Sequence, residues 1–223
     1  MTNYEDTYQY GEPASTSPNV DTRFLACRAL GNSKDVRSIE PLARMMDDPE
    51  AHIRAEAISW FTSLQSTVSL GDAWTYMNDR NAANSPAGFN GVLYTAIKQA
   101  FDQHPDAFGM KLEWIAAATL RETIGASVVP ILTRRLNDED ERVRKEAAYA
   151  LCWVSIPEDH EQQTYSALAE ARRDTVTAVS SQAVVALRYM NGRMTNLIAM
   201  ARAGIQLPNR RVMPTAMPAW FRG

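Results

Sequence analysis

The chain has 223 residues, enough for one substantial hydrophobic core. Hydrophobic residues make up 45% and charged residues 22%, an ordinary globular composition rather than a disordered or fibrous one. The 23 basic residues against 26 acidic ones leave a net charge of −3, so the global basic excess expected of a nucleic-acid binder is missing.

Two cysteines, Cys27 and Cys152, sit inside apolar-periodic segments with no CxxC, and read as buried thiols in a reducing compartment. The three histidines, His52, His104 and His160, have no ligand spacing, so no metal and no cofactor is expected. No apolar run approaches the ~20 residues that a membrane span needs. The first residues lack a basic region followed by an apolar one, so no secretory signal is expected, and the cytoplasm is the default compartment.

Taken in chain order, residues 1–20 are polar, carry Pro13 and Pro18, and read as a flexible arm. Residues 21–204 read as a single helical domain. In 51–64 the apolar stripe is Ile53, Ala57, Trp60, Phe61 and Leu64. In 142–154 it is Val143, Ala147, Ala150, Leu151 and Val154, and in 176–190 it is Val176, Val179, Ala183, Ala186, Leu187 and Met190. These spacings are those of amphipathic helices, and no strand pattern bounded by hairpin turns competes with them. Between the first two stripes, helices are expected near 70–80, 89–103 and 107–123, with a polar Gly/Pro/Asn-rich loop at 79–91. A terminal helix is expected at 193–204, followed by a proline-containing tail over 205–223.

The segments repeat. MDDPEAHIRAEAI (46–58) aligns with LNDEDERVRKEAA (136–148), pairing Asp48 with Asp138, Ile53 with Val143, Arg54 with Arg144 and Ala57 with Ala147. A second step pairs Asp138 with Asp174, Val143 with Val179, Ala147 with Ala183 and Leu151 with Leu187. ACRALG (26–31) echoes AAYALC (147–152). Each unit has a first helix with an early proline (Pro41, Pro130), an acidic turn, and a second helix opening on an apolar-Arg pair. The acids can cap the second helix, and its alanines permit close packing.

The residues Val129, Pro130, Leu132, Leu136, Asp138, Val143, Arg144, Ala147, Ala148 and Leu151 resemble the HEAT-like repeat of the phycobilisome-lyase type. Ser180 departs from it, standing where the pattern has Arg. The resemblance implies an all-α solenoid, a superhelix of antiparallel helix pairs. It also implies that Arg54 and Arg144 join hydrogen-bond ladders with the turn aspartates. Function is not implied so directly, because HEAT arrays serve many tasks. The expected function is non-catalytic: a scaffold, adaptor or immunity-like inhibitor holding a protein partner in its concave face. The alternatives are a phycobiliprotein (bilin) lyase or its subunit, which would act on antenna proteins, and a DNA-lesion-binding glycosylase of the HEAT-like kind.

No catalytic signature accompanies the repeats. The acids at 47–50 and 138–141 are too short a run for an EF-hand and read as capping residues. A basic cluster of Arg134, Arg135, Arg142, Arg144 and Lys145 is interleaved with those acids, and reads as solvated helix ends.

Helical phase supplies the candidate site. Opposite the stripe of 142–154 lie Lys145, Tyr149, Cys152 and Trp153, and one repeat on lie Val185, Arg188 and Tyr189. Tyr149, Trp153, Val185 and Tyr189, flanked by Lys145 and Arg188, are therefore expected to face a partner in the concave groove. The competing reading has Trp220 and Phe221 of the tail covering them.

Overall fold

A computed structural model describes residues 4–67 and 110–202, with 95, 96, 98, 99, 102 and 103. The described residues form helices, one short 3-10 turn and no strand. The helices are α1 (Tyr4–Ala14), α2 (Val20–Asn32), α3 (Ile39–Met45), α4 (Ala51–Thr67), α5 (Met110–Arg135), α6 (Glu141–Trp153), α7 (Glu158–Ala171) and α8 (Thr177–Arg202). The 3-10 turn, Val36–Ser38, leads into α3.

Consecutive helices pack as pairs: α1 on α2, α3 on α4, α5 on α6 and α7 on α8. The second members stack in a continuous inner row, α2 on α4, α4 on α6, α6 on α8, while α3 meets α5 and α5 meets α7 in an outer row. This is an all-α, HEAT-like solenoid of antiparallel helix pairs. Its core lies between the two rows and takes in most of the expected stripes: Ile53, Ala57, Phe61, Val143, Ala147, Ala150, Leu151, Val179, Ala183 and Ala186 are fully enclosed, while Trp60 and Val176 are only half-buried.

The register between pairs is set by a ladder along one edge. Arg23 forks onto Asp48 (Nε–Oδ2 2.7 Å, Nη2–Oδ1 3.0 Å). Arg54 forks onto Asp138 (2.9 and 2.7 Å), and Arg144 onto Asp174 (2.7 and 3.3 Å). Each Arg also donates through Nη1 to two carbonyls of its own turn, Arg54 to those of Asp48 and Pro49 at 3.0 and 2.8 Å. Each Asp accepts the backbone N–H two residues on, Asp138 from Asp140 at 3.1 Å and Asp174 from Val176 at 2.8 Å. The ladder role implied for Arg54 and Arg144 is what the structure shows, and Arg23 extends it by one rung. It stops at both ends, because Ser17 holds the turn position equivalent to Asp48 and Ser180 the helix position equivalent to Arg54.

The rungs also locate an insertion. Arg23 and Asp48 are 25 residues apart and Arg144 and Asp174 are 30 apart, but Arg54 and Asp138 are 84 apart. The pairs on either side of this long excursion stack directly, α4 against α6. The helices expected near 70–80 and 89–103 lie largely outside the described residues, as do the loop at 79–91 and the tail.

Three expectations differ from the structure. Residues 4–14 of the expected arm form α1, which packs on α2 because Gly11 permits close approach: a Cβ there would stand 2.8 Å from the Leu30 side chain. Tyr8 packs against the core beneath the Arg37 guanidinium, 4.6 Å from its ring centroid. The expected break before 193–204 is absent, since α8 runs unbroken from Thr177 to Arg202. The helix expected at 107–123 continues through α5 to Arg135, with Pro130 inside it. Pro130 is exposed on the outer row, where the ring meets solvent instead of a packed neighbour.

Burial alone would raise the Asp138 carboxyl, but donation from Arg54, the Asp140 N–H and Arg135 holds it below the ordinary aspartate value. A carboxyl held low stabilises the fold while ionised, so its contribution is present at neutral pH and is lost as pH falls through the folded-state value. With side chains only 6% and 2% exposed, Arg54→Ala leaves the buried Asp138 carboxylate with Arg135 and the Asp140 N–H alone, an expected loss of about 1–3 kcal/mol in denaturant unfolding at neutral pH. The deficit should shrink in acid. A deficit unchanged with pH would exclude the carboxylate as its source.

Gly125 on α5 touches the α6–α7 connection so closely that a Cβ would stand 2.0 Å from the Ser155 carbonyl oxygen. Because that neighbour is backbone, Gly125→Ala should cost about 1–3 kcal/mol by the same assay.

Candidate functional site on the inner row

Aligning the ladder arginines superimposes the inner helices residue by residue. Arg28, Ser59, Tyr149 and Val185 share one position, and Asn32, Ser63, Trp153 and Tyr189 the next turn. All eight are exposed, as the solvent side of the inner row requires. At these positions the face is polar on α2 and α4 and apolar or aromatic on α6 and α8, although Leu25 of α2, three residues before Arg28, is also exposed.

The structure brings Tyr149, Trp153 and Tyr189 together, with Val185 exposed at the position equivalent to Tyr149. Trp153 is 53% exposed and Tyr189 48%, well above the buried stripe one position away. The Tyr149 and Trp153 rings meet edge-on at 6.1 Å between centroids, and Trp153 and Tyr189 meet tilted at 5.9 Å. Such ring pairs hold their shape with little loss of rotamer freedom on binding. Lys145 is half-buried and pairs with Glu146 at 2.9 Å. Arg188 is exposed at the position where Thr62 and Cys152 are buried against the next inner helix, and α8, which carries it, is the last inner helix among the described residues.

Cys152 does not belong to this face. It is buried and donates to the Ala148 carbonyl at 3.5 Å, because α8 packs over that side of α6. Arg28 and Asn32 were missed in the sequence. The signal was available in the ACRALG echo, which sets Ala26 against Ala57 and Ala147 and thereby fixes the phase of α2.

The charged turns are occupied by one another. Arg134 grips Asp47 with both carboxylate oxygens at 2.6 and 2.7 Å, and Arg135 bonds Asp47 and Asp138. Arg142 bonds Asp140, whose Oδ1 caps α6 by accepting the Arg142 N–H at 2.8 Å. The basic cluster is therefore largely neutralised in place. Among the described residues no group of three His, Cys, Asp or Glu side chains could hold a metal, and no helix is long and apolar enough to cross a membrane. An open apolar groove lies away from this face, between α3 and α5, lined by Ile39, Ala43, Val128 and Ile131.

Residues 96–188 match the family of HEAT repeats. Among solved structures, a designed armadillo repeat protein, YIII(Dq.V1)4CPAF, in complex with the peptide (KR)4 is 16% identical, with a TM-score of 0.37 over 84% of this chain and 91% of that one. A second designed armadillo repeat protein, YIII(Dq)4CqI, is 17% identical, with a TM-score of 0.27 over 83% of this chain and 99% of that one. No curated protein matches the chain.

Because Trp153 and Tyr189 are about half exposed and touch one another, the single changes Trp153→Ala and Tyr189→Ala should each cost only about 1–2 kcal/mol of unfolding free energy. A loss of about 3–5 kcal/mol at either site, the cost of truncating a core aromatic, would show that the rings are structural.

Proposed function

We propose that this chain is a non-catalytic holder of a protein partner, a scaffold, adaptor or inhibitor, and that the partner seats on the inner row at Tyr149, Trp153, Val185 and Tyr189. The observation that carries this reading is the concentration of exposed rings in mutual contact on two adjacent rigid helices. Aromatic anchors of this kind dominate interface energetics, and truncating one typically costs about 2 kcal/mol or more. The compartment in this reading is the cytoplasm, and the C-terminal tail is the rival occupant of the face.

The test is affinity capture from the native host with wild-type protein and with the Trp153→Ala, Tyr189→Ala double variant. A partner retained by the first and lost by the second, with the second still folded by circular dichroism, supports the reading. Equal recovery by both removes the site. The bilin-lyase alternative rests on repeat texture alone, and a pigmented product after co-expression with bilin synthesis would restore it.

A further inference from the structure

The aromatic face has a tethered candidate for its occupant, and the inference rests on the reading of that face just given. Tyr149, Trp153, Val185 and Tyr189 are each more than a third exposed. Val185 and Tyr189 lie on α8, which runs to Arg202, and the chain then continues from Ala203 to Gly223. That continuation is not composed like a solvated tail. It carries Leu207, Val212, Met213, Met217, Trp220 and Phe221, with Pro208, Pro214 and Pro218 spaced among them. Segments that stay in water are poor in aromatic and aliphatic residues, because leaving such groups hydrated forgoes the free energy of their burial. Prolines hold a chain extended at low entropic cost, and aromatic surfaces are a recurring seat for such segments.

The tether reaches. From Arg202 back to Tyr189 the helix rises about 20 Å. From Arg202 on to Trp220 the chain spans about 20–25 Å as a flexible coil and up to about 55 Å when extended. Trp220 and Phe221 therefore meet the face at an effective concentration of about 1 mM. The apolar groove between α3 and α5 belongs to other helix pairs than that of α8, and is the more distant seat.

We propose that residues 205–223 dock Trp220 and Phe221 on the aromatic face of α6 and α8 in the same chain, so that a partner gains the face only by displacing the tail. Tail and partner then use one surface in turn. A tail that binds with a Kd of about 100 µM as a free peptide would, once tethered, lower the apparent affinity of any competitor about tenfold.

The test titrates a fluorescein-labelled synthetic peptide of residues 205–223 into three full-length chains. These are the unchanged chain, a tail variant (Trp220→Ala, Phe221→Ala), and the tail variant with Trp153→Ala and Tyr189→Ala added. Circular dichroism should show all three equally helical; should the third lose helix, Trp153→Ala alone takes the place of the pair. The peptide should bind the tail variant about tenfold more tightly than the unchanged chain, whose own tail competes, and should not bind the third. Size-exclusion chromatography should give a monomer for each.

Equal binding to the unchanged chain and the tail variant would overturn the inference, because the tail would not then hold the face. Binding that survives the loss of the face aromatics would overturn it by placing the tail elsewhere. No binding up to about 1 mM would overturn it too, since the tether supplies no more than that. A dimer formed by the unchanged chain and abolished in the tail variant would replace the intramolecular contact with a second copy. The partner reading is decided apart from all of these, by the affinity capture described above.

Discussion

A guanidinium and a carboxylate cannot be buried between helices without large cost unless nearly all of their hydrogen-bonding capacity is satisfied. Arg54 and Asp138 meet this condition by forked donation, with the remaining guanidinium donors spent on the turn carbonyls of Asp48 and Pro49. That geometry ties the start of one inner helix to the turn that precedes the next. The rungs at Arg23 and Arg144 repeat it. Each rung fixes the rotation of an inner helix about its axis, so equivalent positions of α2, α4, α6 and α8 arrive in the same orientation. The shared solvent face of the inner row follows from this constraint.

The packing beside the ladder depends on small residues. Ala26, Ala57, Ala147 and Ala183 are fully buried at equivalent positions of the inner helices. At Gly31 the Trp60 ring lies so close that an added Cβ would meet it at 2.2 Å. Close approach at these points lets α4 and α6 stack directly although 84 residues separate their rung partners. Such an excursion is tolerable, because loop-closure entropy grows only slowly with length while the contacts it delivers stay the same.

One backbone arrangement thus carries two surfaces. Where the second helix of a pair has Arg, Asn or Ser at the outward positions, the inner row is polar. Where it has Tyr, Trp or Val, the row is an aromatic platform. The charges follow the same logic of location. Along the turn edge Asp47, Asp48, Asp138 and Asp174 pair with arginines and hold the helix pairs in register, while Arg172 and Arg173 of the α7–α8 turn, like Arg28, Arg121 and Arg188, have no ion pair among the described residues.

The sequence alone determined the helical class, the repeat and the phase of three inner helices, because a period of 3.6 and recurring Asp, Arg and Ala positions depend only on local order. From that phase Tyr149, Trp153, Val185 and Tyr189 were legible as one face, and their exposure and ring contacts agree. Phase could not say which side of α6 the next helix would cover. Cys152 was therefore misplaced, and the packing of α8 decided its burial. Nor could periodicity show that Arg54 would reach Asp138 across the insertion, that α1 would dock on α2 through Gly11, or that α8 would run unbroken to Arg202. Those outcomes depend on contacts between segments remote in the chain, which only the tertiary structure brings together.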